Sequence, residues 1–281
     1  ARIVELLHDA GKLSVADFEQ IQHDEESLVA RALVQALRYA LEAGGELSDP
    51  EARTAARMLV EWDHVLSKYS PAAALYRVWT DRLAVAVGEA GTPASSEAVL
   101  EALAPGTYAR LNGAWVDGSP RRSPLRSASP VTAARARGIL TGAALAEAWR
   151  EAVRRFGPDP ARWSWGQAHR ARFEHALATT PERRAILNLT DLPRGGDGTT
   201  VNATGSGERQ TSGASFREII DVADWDRSVM INVPGNSGQP LSPHYGDLLP
   251  LWADGRYHPM LFSREAVHRH AAARLVLRPA S

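Results

Sequence analysis

Asn232 to Val267 reads NVPGNSGQPLSPHYGDLLPLWADGRYHPMLFSREAV, and its reading decides the fold. Pro240 and Pro243 make the first part a loop, and Gly235 and Gly238 supply tight turns in it. Ser237, His244 and Asp247 are the three residue types of a serine triad. A nucleophile elbow needs Gly-x-Ser-x-Gly between a strand and a helix. Here Gly235-Asn236-Ser237-Gly238-Gln239 carries its second glycine one position too early. Triad members also converge from distant parts of a chain, not from one loop. The His244 imidazole is therefore read as fixing the loop by hydrogen bonds. Ser263 to Ala271, at the end of the stretch, fits a short capped helix.

Working outward, Ser215 to Val222 (SFREIIDV) and Ser228 to Val233 (SVMINV) read as strands joined by the turn Ala223 to Asp226. Thr199 to Ala203 is a third candidate strand and Arg274 to Leu277 a last one. Before Gly157 the texture is different. Val15, Phe18, Ile21, Leu28, Ala32, Leu33, Ala36, Leu37, Ala40 and Leu41 fall at helical spacing, and Gly44-Gly45 ends the stripe. Ser48 with Pro50, and Ser70 with Pro71, read as helix starts. Further helical stretches run from Ser96 to Leu103 and from Ser129-Pro130 to Phe156. Gly118 to Pro130 reads as an exposed loop. Helices come first and strands second, without βαβ alternation, so the fold class is α+β, a helical first half followed by antiparallel strands. Residues 1–157 form a mainly helical segment and 158–281 a strand-rich one, both parts of one larger domain.

Composition narrows the function. The hydrophobic share of 44% supports a sizeable core. A formal net charge of -1 gives no field to gather nucleic acid or an acidic membrane. Thirty of the 32 basic residues are arginine; Lys12 and Lys68 are the exceptions. With no cysteine, thiolate chemistry, disulfides and Cys-based metal sites are excluded. No apolar run reaches membrane-spanning length. His169 and His175 are six apart and His268 and His270 two apart, which does not match the spacing of a helix-borne zinc pair, so no metal is expected. Gly195 to Thr200 lacks the phosphate-loop pattern. Trp163, Trp165 and Phe173 read as core. Arg121, Arg122 and Arg126 form a basic loop without the interleaved aromatics of a single-strand binder.

Four segments, in order, resemble the penicillin acylase family of N-terminal nucleophile hydrolases. They are Ala1 to Ala43, the W-x-W-G-x-x-H run Trp163 to His169 with Phe173 and His175, the glycine-rich turn Gly195 to Asn202, and Ser215-Phe216-Arg217 leading to the Gly-x-Ser-Gly and Ser-Pro-His-Tyr block at Gly235 to Tyr245. The resemblance implies a four-layer αββα fold, of which this chain is the C-terminal part of the large subunit. It implies hydrolysis of an amide between an acyl group and an amine. The attacking group is the hydroxyl of an N-terminal Ser, with its own α-amine taking the proton.

That Ser, the oxyanion-holding Asn and the calcium ligands of some members would all precede the segment matching Arg2 to Leu7. Ala1 has no side-chain nucleophile, so the nucleophile is expected on another chain segment. The implied partners are that segment and a small α subunit. The implied compartment is periplasmic or extracellular, with self-cleavage of a precursor. The resemblance also marks Asp221 as a supporting carboxylate, since the glutaryl acylase branch places one there to orient a His near the nucleophile. The alternative for Asp221 is closure of the turn Asp221 to Asp226. The alternative for the whole chain is a non-catalytic structural or interaction subunit.

Overall fold

A computed structural model describes residues 1–8, 10–88, 96–104, 129–205 and 207–279. Arg121, Arg122 and Arg126, and most of the expected loop from Gly118, lie outside the described residues. The chain forms two compact units, one of Ala1–Gly11 with Ile21–Ala214, the other of Lys12–Gln20 with Ser215–Ser281.

The first unit is built on helices. They are α1 (Arg2–His8), α3 (Leu28–Glu42), α4 (Pro50–Val60), α5 (Pro71–Val87), α6 (Ser96–Leu103), α7 (Pro130–Leu140) and α8 (Ala143–Phe156), with the short α9 (Trp165–Ala168) and α10 (Pro181–Leu187) after them; α2 (Val15–Gln22) carries the chain from the second unit into the first. Local signals set most of the starts. Ser27, Ser70 and Ser129 each accept an N–H from the first turn of α3, α5 and α7. Pro71 and Pro130 occupy first-turn positions where no intrahelical donor is lost. Gly88, at φ 83°, ends α5 in the left-handed region that suits glycine.

Helix α5 is the centre of this unit and packs against α4, α6, α7, α8 and α9. Leu75, Val78, Trp79 and Leu83 on it are buried, together with Leu33 and Leu37 of α3, Leu59 of α4, Leu100 of α6 and Leu145 of α8. Alanines at 30, 36, 55, 73, 74, 148 and 152 on these helices belong to the same core and are 0% exposed. A small sheet ends the unit: β1 (Arg170–Ala171) lies antiparallel to β2 (Leu192–Pro193) and parallel to β3 (Arg209–Gln210).

In the second unit β4 (Phe216–Ile219) pairs antiparallel with β5 (Val229–Asn232), and β5 with β6 (His258–Pro259). A 3₁₀ turn, Trp225–Arg227, joins the first two strands. Helices α11 (Leu249–Ala253) and α12 (Arg264–His270) complete it, and Ser263 caps α12 as its sequence predicts.

The architecture is mixed α+β, and several local expectations change. The long stripe from Val15 to Leu41 is two helices. Residues 23–27 leave the helix because Glu26 bridges Val65, Leu66 N–H donates to the Glu25 carbonyl at 2.8 Å, and Ser27 starts α3 afresh. Only from Leu28 onward is the stripe buried; α2 buries no residue. Helix α4 is capped by Asp49, not Ser48, because the Asp49 carboxylate accepts from Glu51 and Ala52 N–H. The stretch from Pro130 to Phe156 breaks at Thr141-Gly142, where a Cβ on Gly142 would lie 2.7 Å from the Gly138 carbonyl oxygen.

Thr199 to Ala203 is not a strand. Asp197 takes the N–H and hydroxyl of Thr199 at 2.7 and 2.6 Å, and such local bonds replace a ladder. Arg274 to Leu277 is not a strand either: it takes no regular structure and pairs with nothing among the described residues. Finally, the strands are not all antiparallel: β1 and β3 run parallel, which the long connection carrying α10 and β2 makes possible.

Candidate functional site

The loop after β5 gathers Ser237, His244 and Asp247, but not as a triad. The His244 ring Nδ1 lies 2.8 Å from Asp247 Oδ2, and both side chains face solvent. Ser237 Oγ accepts the Gln239 N–H at 3.1 Å, and the Ser237 N–H donates to the His244 carbonyl at 3.0 Å. No hydrogen bond joins the Ser237 hydroxyl to the His244 imidazole among the described residues. The chain closes tightly at Gly235, where a Cβ would overlap the His244 carbonyl oxygen and lie 2.8 Å from Tyr245 C and 2.9 Å from Asp247 Oδ1. Only a residue without a side chain fits there.

Asp221 lies at the end of β4. Its Oδ1 accepts the N–H groups of Ala223 and Asp224 at 3.0 and 3.2 Å, and its Oδ2 is 3.5 Å from Arg227 Nε. Its own N–H donates to the buried Ser228 Oγ. Asp226 accepts from Phe262 and Ser263 N–H, both at 2.8 Å, which anchors the start of α12; the Ser263 hydroxyl, together with these N–H groups, holds the Asp226 carboxyl below its usual range. On the same sheet the buried Arg217 guanidinium lies 5.8 Å from the Trp252 ring centroid, and burial pushes the nearby Tyr257 phenol up to about 12.

The first unit holds a buried polar hub where two of the sequence motifs meet. His169 is buried and stacks on Trp165, with centroids 4.6 Å apart and planes within 9°. Its Nδ1 faces the Arg194 carbonyl at 3.0 Å and its Nε2 the Gly205 carbonyl at 3.1 Å. Burial pushes the imidazole below its ordinary value, against the pull of these two acceptors. Trp165 Nε1 donates to the Gly196 carbonyl at 3.0 Å. Gly196, at φ 71°, lets the chain pass under Asn202.

Asn202 in turn donates to Glu25 Oε1 at 3.0 Å and accepts from Arg194 at 3.3 Å. Burial raises the Glu25 carboxyl above its usual range, with Asn202, Arg194 and Lys68 opposing. A Cβ on Gly195 would overlap the Glu25 carboxylate. Ser27 and Thr199 hydroxyls meet at 2.6 Å, and burial raises Asp197 as well.

Beside the hub lies an ion-pair network. Arg2 grips Asp24 through Nε at 2.9 Å and Nη2 at 2.7 Å, and reaches Glu26 at 3.0 Å; Arg31 pairs with Glu26 and Glu5. His64, at φ 65°, holds a backbone shape rare outside glycine, and its carbonyl accepts the Ser27 N–H.

Each hub side chain is engaged by another protein group, so the hub locks loops together and presents no free nucleophile–base pair. Glu25 and Arg194 escaped the sequence reading. The signal for Glu25 was the run His23 to Ser27, five residues without an apolar position inside an apparent helical stripe. His175 stands apart: its N–H takes Asn188 Oδ1 and its ring accepts from Leu177 N–H. Among the described residues no three His, Asp or Glu side chains are arranged to hold a metal ion.

The sequence model of the Penicillin amidase family matches residues 1–269. The chain belongs to the penicillin amidase family. It is 31% identical over 285 residues to the "Penicillin acylase 2 proenzyme" of Pseudomonas sp. (strain SE83), covering 99% of this chain and 35% of that protein. It is 27% identical over 317 residues to the "Acyl-homoserine lactone acylase QuiP" of Pseudomonas aeruginosa, covering 99% of this chain and 36% of that protein. Among solved structures it is similar to a thermostable penicillin G acylase from Alcaligenes faecalis, with a TM-score of 0.56 and 16% identity over 100% of this chain and 52% of that one. The chain thus spans about a third of the length of these curated relatives. The penicillin amidase motifs named from sequence are the ones that build the hub and the Gly235 loop.

Proposed function

We propose that this chain is the C-terminal part of an acylase that cleaves the amide bond of N-acyl compounds, with the nucleophilic N-terminal Ser carried by another segment. The observation that carries the reading is the family match across residues 1–269, taken with a Ser237 hydroxyl that no base engages. The relatives' names, penicillin acylase and acyl-homoserine lactone acylase, support a substrate of the N-acyl amide class. In this reading the chain supplies strands and helices of a four-layer αββα core. Its partners are the Ser-bearing segment of the large subunit and a small α subunit, joined after self-cleavage of an exported precursor in the periplasm or outside the cell.

The chemistry needs no cofactor on this chain; calcium, where used, would be held by residues outside it. Asp221 is the supporting carboxylate of this proposal. Oδ1 closes the turn, and Oδ2, facing Arg227, is the atom that would steady a positive charge near the nucleophile. His244 keeps its loop-fixing role.

The test is to co-express this chain with the Ser-bearing segment, identify every chain by intact mass and N-terminal sequencing, and assay acyl anilide hydrolysis. Activity that depends on the Ser-bearing segment and survives Ser237→Ala is expected. Full activity of residues 1–281 alone, or its loss in a folded Ser237→Ala enzyme, would overturn the assignment.

A further inference from the structure

The last described residues pose a physical problem. Residues 272–279 form no helix or strand and make no hydrogen bond to any described residue. Leu275, Val276 and Leu277 are 83%, 59% and 85% exposed. Three consecutive large apolar side chains left in water are out of keeping with a chain whose strands are short and paired. The order Arg274-Leu275-Val276-Leu277-Arg278 alternates as a strand does. Leu275 and Leu277 fall on one face, and Val276 falls on the other between two guanidinium groups. One face is thus built for a dry neighbour and the other for a wetter one. The same unit shows a second uncovered strip: Phe216, Ile220 and Val222 recur at even spacing along the β4 segment and are all exposed.

Building on the function proposed above, we infer that Arg274–Arg278 is a docking strand that adds to an open sheet edge of the acylase segment this chain does not contain. Three observations select that occupant. The backbone donors and acceptors of 274–278 make no hydrogen bond among the described residues, and a sheet edge is the partner that satisfies them in series. Leu275 and Leu277 need an apolar layer on one side only, as an outer strand of a layered sheet has. The chain covers 35% of the Pseudomonas penicillin acylase proenzyme and 52% of the similar solved chain, so most of the polypeptide able to offer such an edge lies outside it.

The experiment compares backbone hydrogen exchange of residues 274–278 in residues 1–281 alone and in the complex with the Ser-bearing segment. Slowing of roughly 100-fold or more in the complex is expected, since paired strand amides are among the protected ones. Val276→Pro removes a backbone donor and should weaken assembly at least tenfold, whereas Val276→Thr keeps strand geometry and should assemble normally. Exchange at unstructured rates in the complex, or unimpaired assembly of Val276→Pro, would overturn the docking strand. So would protection that appears in 1–281 alone together with dimer formation, because the occupant would then be a second copy. Acyl anilide hydrolysis is read in parallel: protection without hydrolysis supports the strand and sinks the proposed function, and hydrolysis with an unprotected tail does the reverse.

Discussion

Gly235 carries more of the loop's shape than any side chain in it. Replacing it with Ala would force a methyl group into the backbone at His244 and Tyr245, atoms that cannot swing aside. The expected cost is about 1–3 kcal/mol, the scale of overpacking, seen as a lower melting temperature and faster proteolysis at residues 234–247. Asp221 is tested by Asp221→Asn. Asn keeps the acceptor that closes the turn onto Ala223 and Asp224 but loses the charge facing Arg227. In the assembled enzyme turnover is expected to fall roughly 10²-fold with little change in melting temperature, the scale for groups that assist acid–base steps. Unchanged turnover would leave Asp221 with the turn alone.

The buried titrating groups give opposite pH slopes. His169 and His64 are held below their ordinary value by burial, so the folded chain binds fewer protons there than the unfolded one. Their contribution to stability is intact above about pH 6.5 and is lost as the pH falls. Glu25 and Asp197 are raised by burial, so their contribution is complete below about pH 4 and declines as pH rises through their folded values. Denaturant melts from pH 4 to 8 should show His169→Gln flattening the acid-side loss and Glu25→Gln flattening the decline on the other side. An unchanged pH profile in both would mean that these groups titrate alike in both states.

Among elements, α3 depends on two different things. Ser27 caps it and also meets Thr199, so Ser27→Ala should cost about 1–2 kcal/mol. Leu33, with no exposed surface, should cost about 2–5 kcal/mol as Leu33→Ala. Chemical denaturation would rank them; a reversed order would mean that the cap network outweighs the core. The same two kinds of signal explain what sequence could reveal. Ser70-Pro71, Ser129-Pro130 and Ser263 announce helices because capping is a local event. The strands at 216–219 and 229–232 announce themselves by composition and a turn between them. The break between α2 and α3 was hidden, because it arises from pairing with Val65 and Leu66, about forty residues away. Thr199 to Ala203 has the composition of a strand, but Asp197 takes the N–H and hydroxyl of Thr199. Of the candidate site, the glycine-rich turn and the His169 run were legible as motifs, but their meeting with Glu25 and Arg194 was not, since nothing local links position 25 to position 202.

For the whole molecule, exposed Phe216, Ile220, Val222, Leu275 and Leu277 predict that residues 1–281 expressed alone will aggregate non-specifically, without a defined dimer, instead of melting as a soluble monomer. Such material should show no acyl anilide hydrolysis. A monomer by light scattering with one cooperative melt would contradict the idea that this surface is normally covered. The scale of the family match was readable from four short motifs in order. The substrate was not readable from them, because none of the four motifs is specific to one acyl group or amine.

The alanines between the helices set a limit of a different kind. At positions 30, 36, 55, 73, 74, 148 and 152 the side chain is already as small as a helix tolerates well. A larger residue must push two backbones apart, and glycine adds freedom to the unfolded chain. Almost every single change there is therefore a loss. A laboratory selecting a hardier form of this protein should find its gains on the outer surface and at helix ends, while the helix contacts stay silent through many rounds.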